Sequence, residues 1–168
     1  MLKISPLAIK AFNEKPERTG KNISEVAKRW EELGLSTKYF TQDFFTESLT
    51  ELKAAGMIEF EDIQVNLKHK RKDITDEFDI VMYNGDSIAI VEVKYVAAAS
   101  DLKNLIEKKA PNFKYLYPEY AGYKIYLGLA GLSFDNENIK QLGSEAGIAI
   151  LEAKGDHAEI IADNMKAY

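Results

Sequence analysis

The chain of 168 residues contains no cysteine, which excludes a disulfide framework and any metal site built on thiolates. Its two histidines, His69 and His157, are far apart in the sequence, so no pair has ligand spacing and we predict no zinc site. No apolar run approaches the roughly 18 residues of a membrane span. The start of the chain lacks the apolar stretch and cleavage site of a secretory signal. We therefore expect a cytoplasmic protein without a membrane partner.

An excess of positive charge is also missing. The formal net charge of −5 argues against non-specific binding of a polyanion over the whole surface, although a local basic patch stays compatible with it. A composition of 46% hydrophobic and 29% charged residues is ordinary for a globular protein with a real core. The length suits one domain. We divide the chain into an N-terminal arm with a short helix, residues 1–35, and one domain, residues 36–168.

The periodicity of the apolar residues predicts alternating helices and strands. Helices are predicted over residues 25–33, 41–55, 100–109 and 135–146, the first with Ser24 as its cap and an apolar stripe of Val26, Trp30 and Leu33. Strands are predicted over residues 57–67, on both sides of Asn84-Gly85, and over residues 123–129, 147–151 and 153–161. Asn84-Gly85 predicts a two-residue type I′ turn, because both central positions of that turn need a positive φ. This order indicates an α/β fold in which an antiparallel meander continues into a mixed sheet flanked by helices.

Three charged residues interrupt the apolar strands of the predicted hairpin: Asp79, Glu92 and Lys94. The predicted turn places Glu77 opposite Glu92 and Asp79 diagonal to Glu92. Because residues two apart on a strand share a face, all four side chains should lie on one face of the hairpin. A loop of four residues preserves this parity, whereas a loop of three breaks it.

Carboxylates placed this close repel each other and raise one another's pKa. A hard divalent cation with oxygen ligands would relieve the repulsion. Lys94, one residue past the carboxylates on the same face, is placed to position a water and to help deprotonate it. The arrangement favours attack of a metal-bound water on phosphorus. The competing interpretation is that the carboxylates are solvated strand ends that pair with Lys94.

Asp79 followed by Glu92-Val93-Lys94 resembles the motif of the PD-(D/E)xK nuclease superfamily, whose restriction endonuclease-like fold has an αβββαβ core. The chain is more similar still to an uncharacterised bacterial branch of that superfamily, over about residues 40–162. The segments that carry this resemblance are EFDIVMYNG (77–85), IVEVKY (90–95), NF (112–113), PEY (118–120) and YLGLAGLSF (126–134). Phe78 stands where the motif has its proline, which is not a catalytic residue.

The resemblance implies a nuclease that hydrolyses DNA with Mg²⁺, for which Mn²⁺ can substitute. Asp79, Glu92 and the backbone carbonyl of Val93 would hold the metal, and Lys94 would support the nucleophilic water. A further acid on the first core helix is common in the superfamily, and the qualifying residues here are Asp43, Glu47 and Glu51. The alternative function is a catalytically silent module that binds nucleic acid or a protein partner. An RNA substrate and a homodimer stay open.

Two further features have competing interpretations. The basic run KHKRK supplies Lys68, Lys70, Arg71 and Lys72, which either contact a phosphate backbone or form a solvated β-turn. Five tyrosines either stack on bases or pack the corner between a helix and a strand, and the second role is favoured because tyrosine suits buried positions with a wet tip. These tyrosines are Tyr115, Tyr117, Tyr120, Tyr123 and Tyr126.

Overall fold

The computed structural model describes residues 23–168, so the predicted arm over residues 1–22 lies outside the described residues. A six-stranded mixed sheet carries helices on both faces, and its strands are adjacent in chain order. The strands are β1 (Asp62–Arg71), β2 (Ile74–Asn84), β3 (Ser87–Ala97), β4 (Lys124–Phe134), β5 (Ala149–Lys154) and β6 (His157–Ile161). Strands β1 to β3 form an antiparallel meander, β3, β4 and β5 pair in parallel, and β6 closes the sheet antiparallel to β5. The predicted fold class is confirmed, and it is consistent with a restriction endonuclease-like αβββαβ core.

The helices divide between the two faces of the sheet. Helices α1 (Ile23–Glu32) and α2 (Thr37–Ala54) cover one face. The other face carries α3 (Ala99–Asn104), a π-helical turn (Leu105–Lys109), α4 (Ala110–Leu116) and α5 (Asn138–Ala146). Strands β3 and β4 are buried from both sides, which explains their almost uninterrupted apolar sequences. Among residues 23–168, no helix is long and apolar enough to cross a membrane.

The first helix differs from its prediction. It begins at Ile23, so Ser24 lies inside the helix rather than at its cap. Ala27 is the buried residue, whereas Trp30 is 38% exposed and Leu33, beyond the end of the helix, is 74% exposed. Trp30 and Leu33 therefore lie outside the core, and the alternative that this stripe contacts a partner stays a prediction.

The helix predicted to stop at Lys109 continues to Leu116, through Pro111. A proline inside a helix donates no hydrogen bond, and its ring crowds the carbonyl four residues earlier. The π-helical turn just before it accommodates this crowding, since Ala110 N–H donates to the carbonyl of Leu105, five residues back. The predicted cap at Ser100 is also wrong: Asp101 Oδ2 accepts the N–H of Ala98 at 2.8 Å, and the helix begins at Ala99.

Strand β1 lies further along the chain than predicted, over Asp62–Arg71. The basic run therefore belongs to an edge strand rather than to a β-turn, and its last residue, Lys72, opens the tight connection to β2 with a φ of 53°. Charged side chains on an exposed edge strand also discourage edge-to-edge association.

The turn between β2 and β3 is displaced by one residue from the predicted type I′ turn. Asn84 pairs with Ser87, so the loop consists of Gly85 and Asp86, and within this turn only Gly85 has a positive φ. The register changes by two residues, which preserves the parity of the strands. Continued beyond the pair Ile80–Val91, this register would place Asp79 opposite Glu92 rather than diagonal to it.

Tyr115, Tyr117, Tyr120 and Tyr123 pack the corner that leads from α4 into β4, as the favoured interpretation predicts, whereas Tyr126 is buried within β4 in the opposite core layer. The ring of Tyr117 lies 4.8 Å from that of Phe113 and stacks at 5.0 Å on His69. Tyr120 packs between Tyr83 and Tyr123.

Candidate functional site

Strands β2 and β3 separate at the two acidic residues of the motif. Their ladder runs from the turn to the pair Ile80–Val91, and within the described sheet no pair joins Asp79 to Glu92. On the other side of β2, the ladder to β1 also skips Asp79, because Asn66 opposite it has a φ of 53°. The alternation of faces reverses here: Phe78 and Ile80 pack in opposite layers of the core, although parity alone would put them together.

Asp79 satisfies backbone groups that the separation leaves without ladder partners. Asp79 is 6% exposed, and its Oδ2 accepts the N–H of Val93 at 2.9 Å. The side-chain amide of Gln42, on α2, donates to the Asp79 carbonyl at 2.6 Å. The carboxylate is therefore held against the backbone of β3 at Val93, and α2 holds the Asp79 backbone.

Glu92 is 5% exposed, and its carboxylate is less well satisfied by hydrogen bonds than that of Asp79. Its Oε1 has no hydrogen-bond partner among residues 23–168, and the ammonium of Lys109 lies 3.8 Å from it. Burial, followed by the charge of Asp79, raises the pKa of Glu92 to about 8. A buried carboxylate with an unsatisfied oxygen is an arrangement that a cation would complete.

Lys94 lines the same cleft as Asp79 and Glu92. Its side chain is half-exposed, and Nζ lies 3.8 Å from Oδ1 of Asp101 at the start of α3. Asp101 therefore both caps the helix and holds the lysine at the mouth of the cleft.

The cleft has a volume of about 280 Å³ and opens where the strands separate. Its wall on the α2 side includes Lys38, whose ammonium lies 3.9 Å from Glu77 Oε1. The opposite wall comes from the π-helical turn and the residue before it, with Asn104, Lys108 and Lys109. The residues predicted to share one face, Glu77, Asp79, Glu92 and Lys94, all line this cleft, although the register that brings them there differs from the predicted one.

The acids proposed on the first core helix do not reach the site. Asp43, Glu47 and Glu51 are exposed, and the cleft residues described within 23–168 include none of them. They follow one another at a spacing of four residues, on the side of α2 opposite its buried stripe. Gln42 from that stripe approaches Asp79 in their place.

Sequence reasoning missed a buried group behind the cleft: Asp76, Lys109 and Asn112. Lys109 Nζ donates to Asp76 Oδ1 at 2.7 Å, and the Asn112 amide donates to Asp76 Oδ2 at 2.9 Å. One sequence signal indicates that Lys109 is buried: it occupies the apolar stripe formed by Leu105 and Phe113, at a spacing of four residues from each.

The members of the basic run have different surroundings. Lys68 and Lys70 are exposed on β1, and Lys68 pairs across the ladder with Glu77, a residue of the cleft. Arg71 Nη1 donates to the Tyr115 carbonyl at 2.7 Å, and its guanidinium lies 4.7 Å from the Tyr115 ring. Arg71 thus ties the edge strand to α4.

The donor set fits a hydrated Mg²⁺ better than an all-protein cage. Within residues 23–168, no group of three or more His, Cys, Asp or Glu side chains has the geometry to hold a metal ion. Asp79, Glu92 and Val93 line the cleft, so two carboxylates and one backbone carbonyl would be the protein ligands of such an ion. Mg²⁺ keeps several waters and commonly takes one or two carboxylates from the protein.

Comparison with known proteins gives limited similarity. No family model matches the chain, and no curated protein matches it. Among solved structures it is similar to AF1548, a protein of unknown function, with 16% identity and a TM-score of 0.44 over 66% of this chain and 58% of that one. It is also similar to the small subunit of the heterodimeric restriction endonuclease R.BspD6I, with 14% identity and a TM-score of 0.37 over 77% of this chain and 70% of that one. The chain thus spans less than two thirds of AF1548, and the fold assignment rests on the observed sheet order.

Proposed function

We propose that the protein is a metal-dependent nuclease that hydrolyses phosphodiester bonds of DNA through Asp79, Glu92 and Lys94. One observation carries the proposal. Two buried carboxylates meet where β2 and β3 separate, at an open cleft, and Glu92 Oε1 finds no hydrogen-bond partner in the described part of the chain. Folding alone does not require such a group, whereas a cation site does.

Each residue of the site would have a separate role. Asp79, Glu92 and the Val93 carbonyl would hold Mg²⁺, or Mn²⁺ in its place. The ion, when bound, lowers the pKa of a coordinated water and stabilises negative charge on the phosphoryl oxygens. Lys94, held at the mouth of the cleft by Asp101, would orient the attacking water through its ammonium.

Lysines on both walls of the cleft would contact the phosphate backbone. Lys38 lies on the α2 wall and Lys108 on the wall of the π-helical turn, and both are exposed. In the basic run, Lys68 lies nearest the cleft because it pairs with Glu77, and Lys70 on the edge strand and Lys72 in the connection after it would extend the positive surface. Lysine contacts of this kind supply sequence-independent affinity for DNA or RNA.

A catalytically silent module that binds nucleic acid or a protein partner is the second candidate. The observation in its favour is Lys109, whose ammonium already lies 3.8 Å from Glu92. A cation built into the protein partly compensates the carboxylates without any metal.

Cleavage and metal binding, measured together, separate the two candidates. Plasmid, linear duplex, single-stranded and branched DNA, and RNA, are incubated with Mg²⁺ or Mn²⁺ and wild type, Asp79→Ala or Lys94→Ala. Glu47→Ala, which removes an exposed acid from α2, is the matched control. We expect Asp79→Ala to lose metal binding and cleavage, Lys94→Ala to lose cleavage while it still binds metal, and the control to behave as wild type. A wild-type protein that cuts none of these substrates and shows no calorimetric metal binding would exclude the nuclease.

A further inference from the structure

A buried lysine lies behind the cleft, on the last residue of the π-helical turn. Lys109 is 9% exposed, and its ammonium also lies 5.3 Å from the centre of the Phe78 ring. A buried ammonium needs anionic or hydrogen-bonding partners to offset the hydration that it loses. The partners of Lys109 therefore indicate what it does.

On the side away from the cleft, the partner is Asp76. Lys109 Nζ donates to Asp76 Oδ1 at 2.7 Å and to the Glu77 carbonyl. Asp76 is fixed in turn, because its Oδ1 accepts the Glu77 N–H at 2.8 Å and its Oδ2 accepts the Asn112 amide at 2.9 Å. Burial raises the pKa of Asp76, but the hydrogen bonds from Lys109 and Asn112 more than offset this and hold the pKa below its usual value. Lys109 is thus anchored by an ionised carboxylate.

On the side toward the cleft, the partner is Glu92. Nζ of Lys109 lies 3.8 Å from Glu92 Oε1, an oxygen that receives no hydrogen bond from any described residue. Asp79, by contrast, is held by the N–H of Val93. The two carboxylates at the cleft therefore have different supports: a backbone amide for one and a lysine ammonium for the other.

This inference rests on the proposed nuclease site. We propose that Lys109 is a positioning residue: its ammonium, anchored on Asp76, is the counter-ion of Glu92 in the metal-free protein. At Glu92 this ammonium competes with a divalent cation. A divalent ion bound at Glu92 adds net positive charge beside an ammonium that cannot move away from Asp76. Lys109 therefore holds the carboxylate in the metal-free protein and weakens metal binding.

The first test is a calorimetric Mn²⁺ titration of the full chain at pH 8.5, above the Glu92 pKa of about 8, so that the carboxylate is charged. Lys109→Met keeps the length of the side chain and removes its charge, and should bind Mn²⁺ roughly tenfold more tightly than wild type. The exposed Lys103→Met on α3 is the control and should match wild type. Because Lys109→Met leaves Asp76 buried without its ion pair, the double variant Asp76→Asn/Lys109→Met is measured as well, and it too should bind more tightly. Unchanged or weaker binding by both variants overturns the proposal.

The second test needs neither metal nor cleavage. In EDTA at pH 8.5, Glu92→Gln is introduced into wild type and into Lys109→Met, and the Tm of all four proteins is measured. The increase in Tm should be larger in the Lys109→Met background by roughly 5 °C, because a charged Glu92 there lies beside Asp79 without its counter-ion. Additive changes in Tm would mean that Lys109 serves Asp76 alone and would overturn the proposal. If the protein binds no metal but shows this coupling in Tm, the nuclease proposal is refuted, whereas the assignment of Lys109 as the counter-ion of Glu92 stands.

Discussion

The Glu92 carboxyl should make the metal-free protein less stable as the pH rises. Its pKa is about 8 in the folded chain, against an ordinary value of 4.5, because of burial and then the nearby charge of Asp79. A carboxyl whose pKa is higher in the folded than in the unfolded state favours folding while it is protonated. That contribution is fully present below a pH of about 4.5 and is lost as the pH rises through about 8.

The size of the effect follows from the same two pKa values. Each unit of pKa difference corresponds to about 1.4 kcal/mol. The interval from 4.5 to about 8 therefore limits the total loss of unfolding free energy to roughly 5 kcal/mol. By linkage, about 3 kcal/mol of this is lost by pH 7 and less than about 1 kcal/mol by pH 5. Glu92→Gln keeps the shape of the protonated side chain and removes the titration. The gap in unfolding free energy between Glu92→Gln and wild type should therefore widen by about 2 kcal/mol from pH 5 to pH 7.

Urea denaturation in EDTA at pH 5, 6, 7 and 8 measures this gap. Glu47→Gln, which alters an exposed acid on α2, should show a small gap that stays constant with pH. A Glu92→Gln gap that is constant or narrows as the pH rises would refute the assignment of Glu92 as the strained carboxyl. Excess Mg²⁺ should close the gap, because an ion that binds the charged form of Glu92 stabilises wild type alone.

Three further predictions concern the cleft and the sheet around it. Lys38→Ala and Lys108→Ala should each lower the slope of log affinity for DNA against log salt concentration by about 1, and unchanged slopes would place the phosphate backbone elsewhere. Asp79→Ala should lower the metal-free Tm more than Asp79→Asn, because only the asparagine keeps an acceptor for the Val93 N–H, and equal Tm values would contradict that role. Gly131→Ala should destabilise by about 1–3 kcal/mol in urea denaturation, since its Cβ would lie 2.8 Å from a backbone carbonyl oxygen; a neutral effect would show that β4 can shift.

The order of elements was predictable because it depends on local patterns. Alternating and continuous apolar runs mark the strands, and the helical stripes between them imply the parallel connections. The register was not predictable from Asn84-Gly85, because the dipeptide fixes the neighbourhood of the turn but not which two residues close it. A displacement of the register by two residues preserves the parity of the pairs from Ile80 to Asn84, whereas the reversal of faces at Asp79 was not predictable from parity.

The partners of the site depend on contacts that local patterns do not encode. Lys109 is separated from Asp76 by 33 residues, and only the packing of α4 on β2 brings them together. The extent of the helix beyond Lys109 was not predictable either, since a proline after a helical pattern usually ends the helix, whereas a π-helical turn accommodates Pro111 here. The acids on α2 were proposed through the family resemblance, and the buried stripe of that helix turns them toward solvent.

Polar residues at the point where β2 and β3 separate have two different physical origins. Two strands that part leave backbone N–H and C=O groups without ladder partners, and buried groups of this kind must be satisfied by side chains. Asp79 does this for the Val93 N–H, and Gln42 does it for the Asp79 carbonyl, so folding alone accounts for both residues. Glu92 is different, because its Oε1 serves no donor in the described chain and its burial raises its pKa to about 8. A glutamine or an apolar residue would satisfy the fold better at this position, so the carboxylate of Glu92 is the feature that requires a functional explanation.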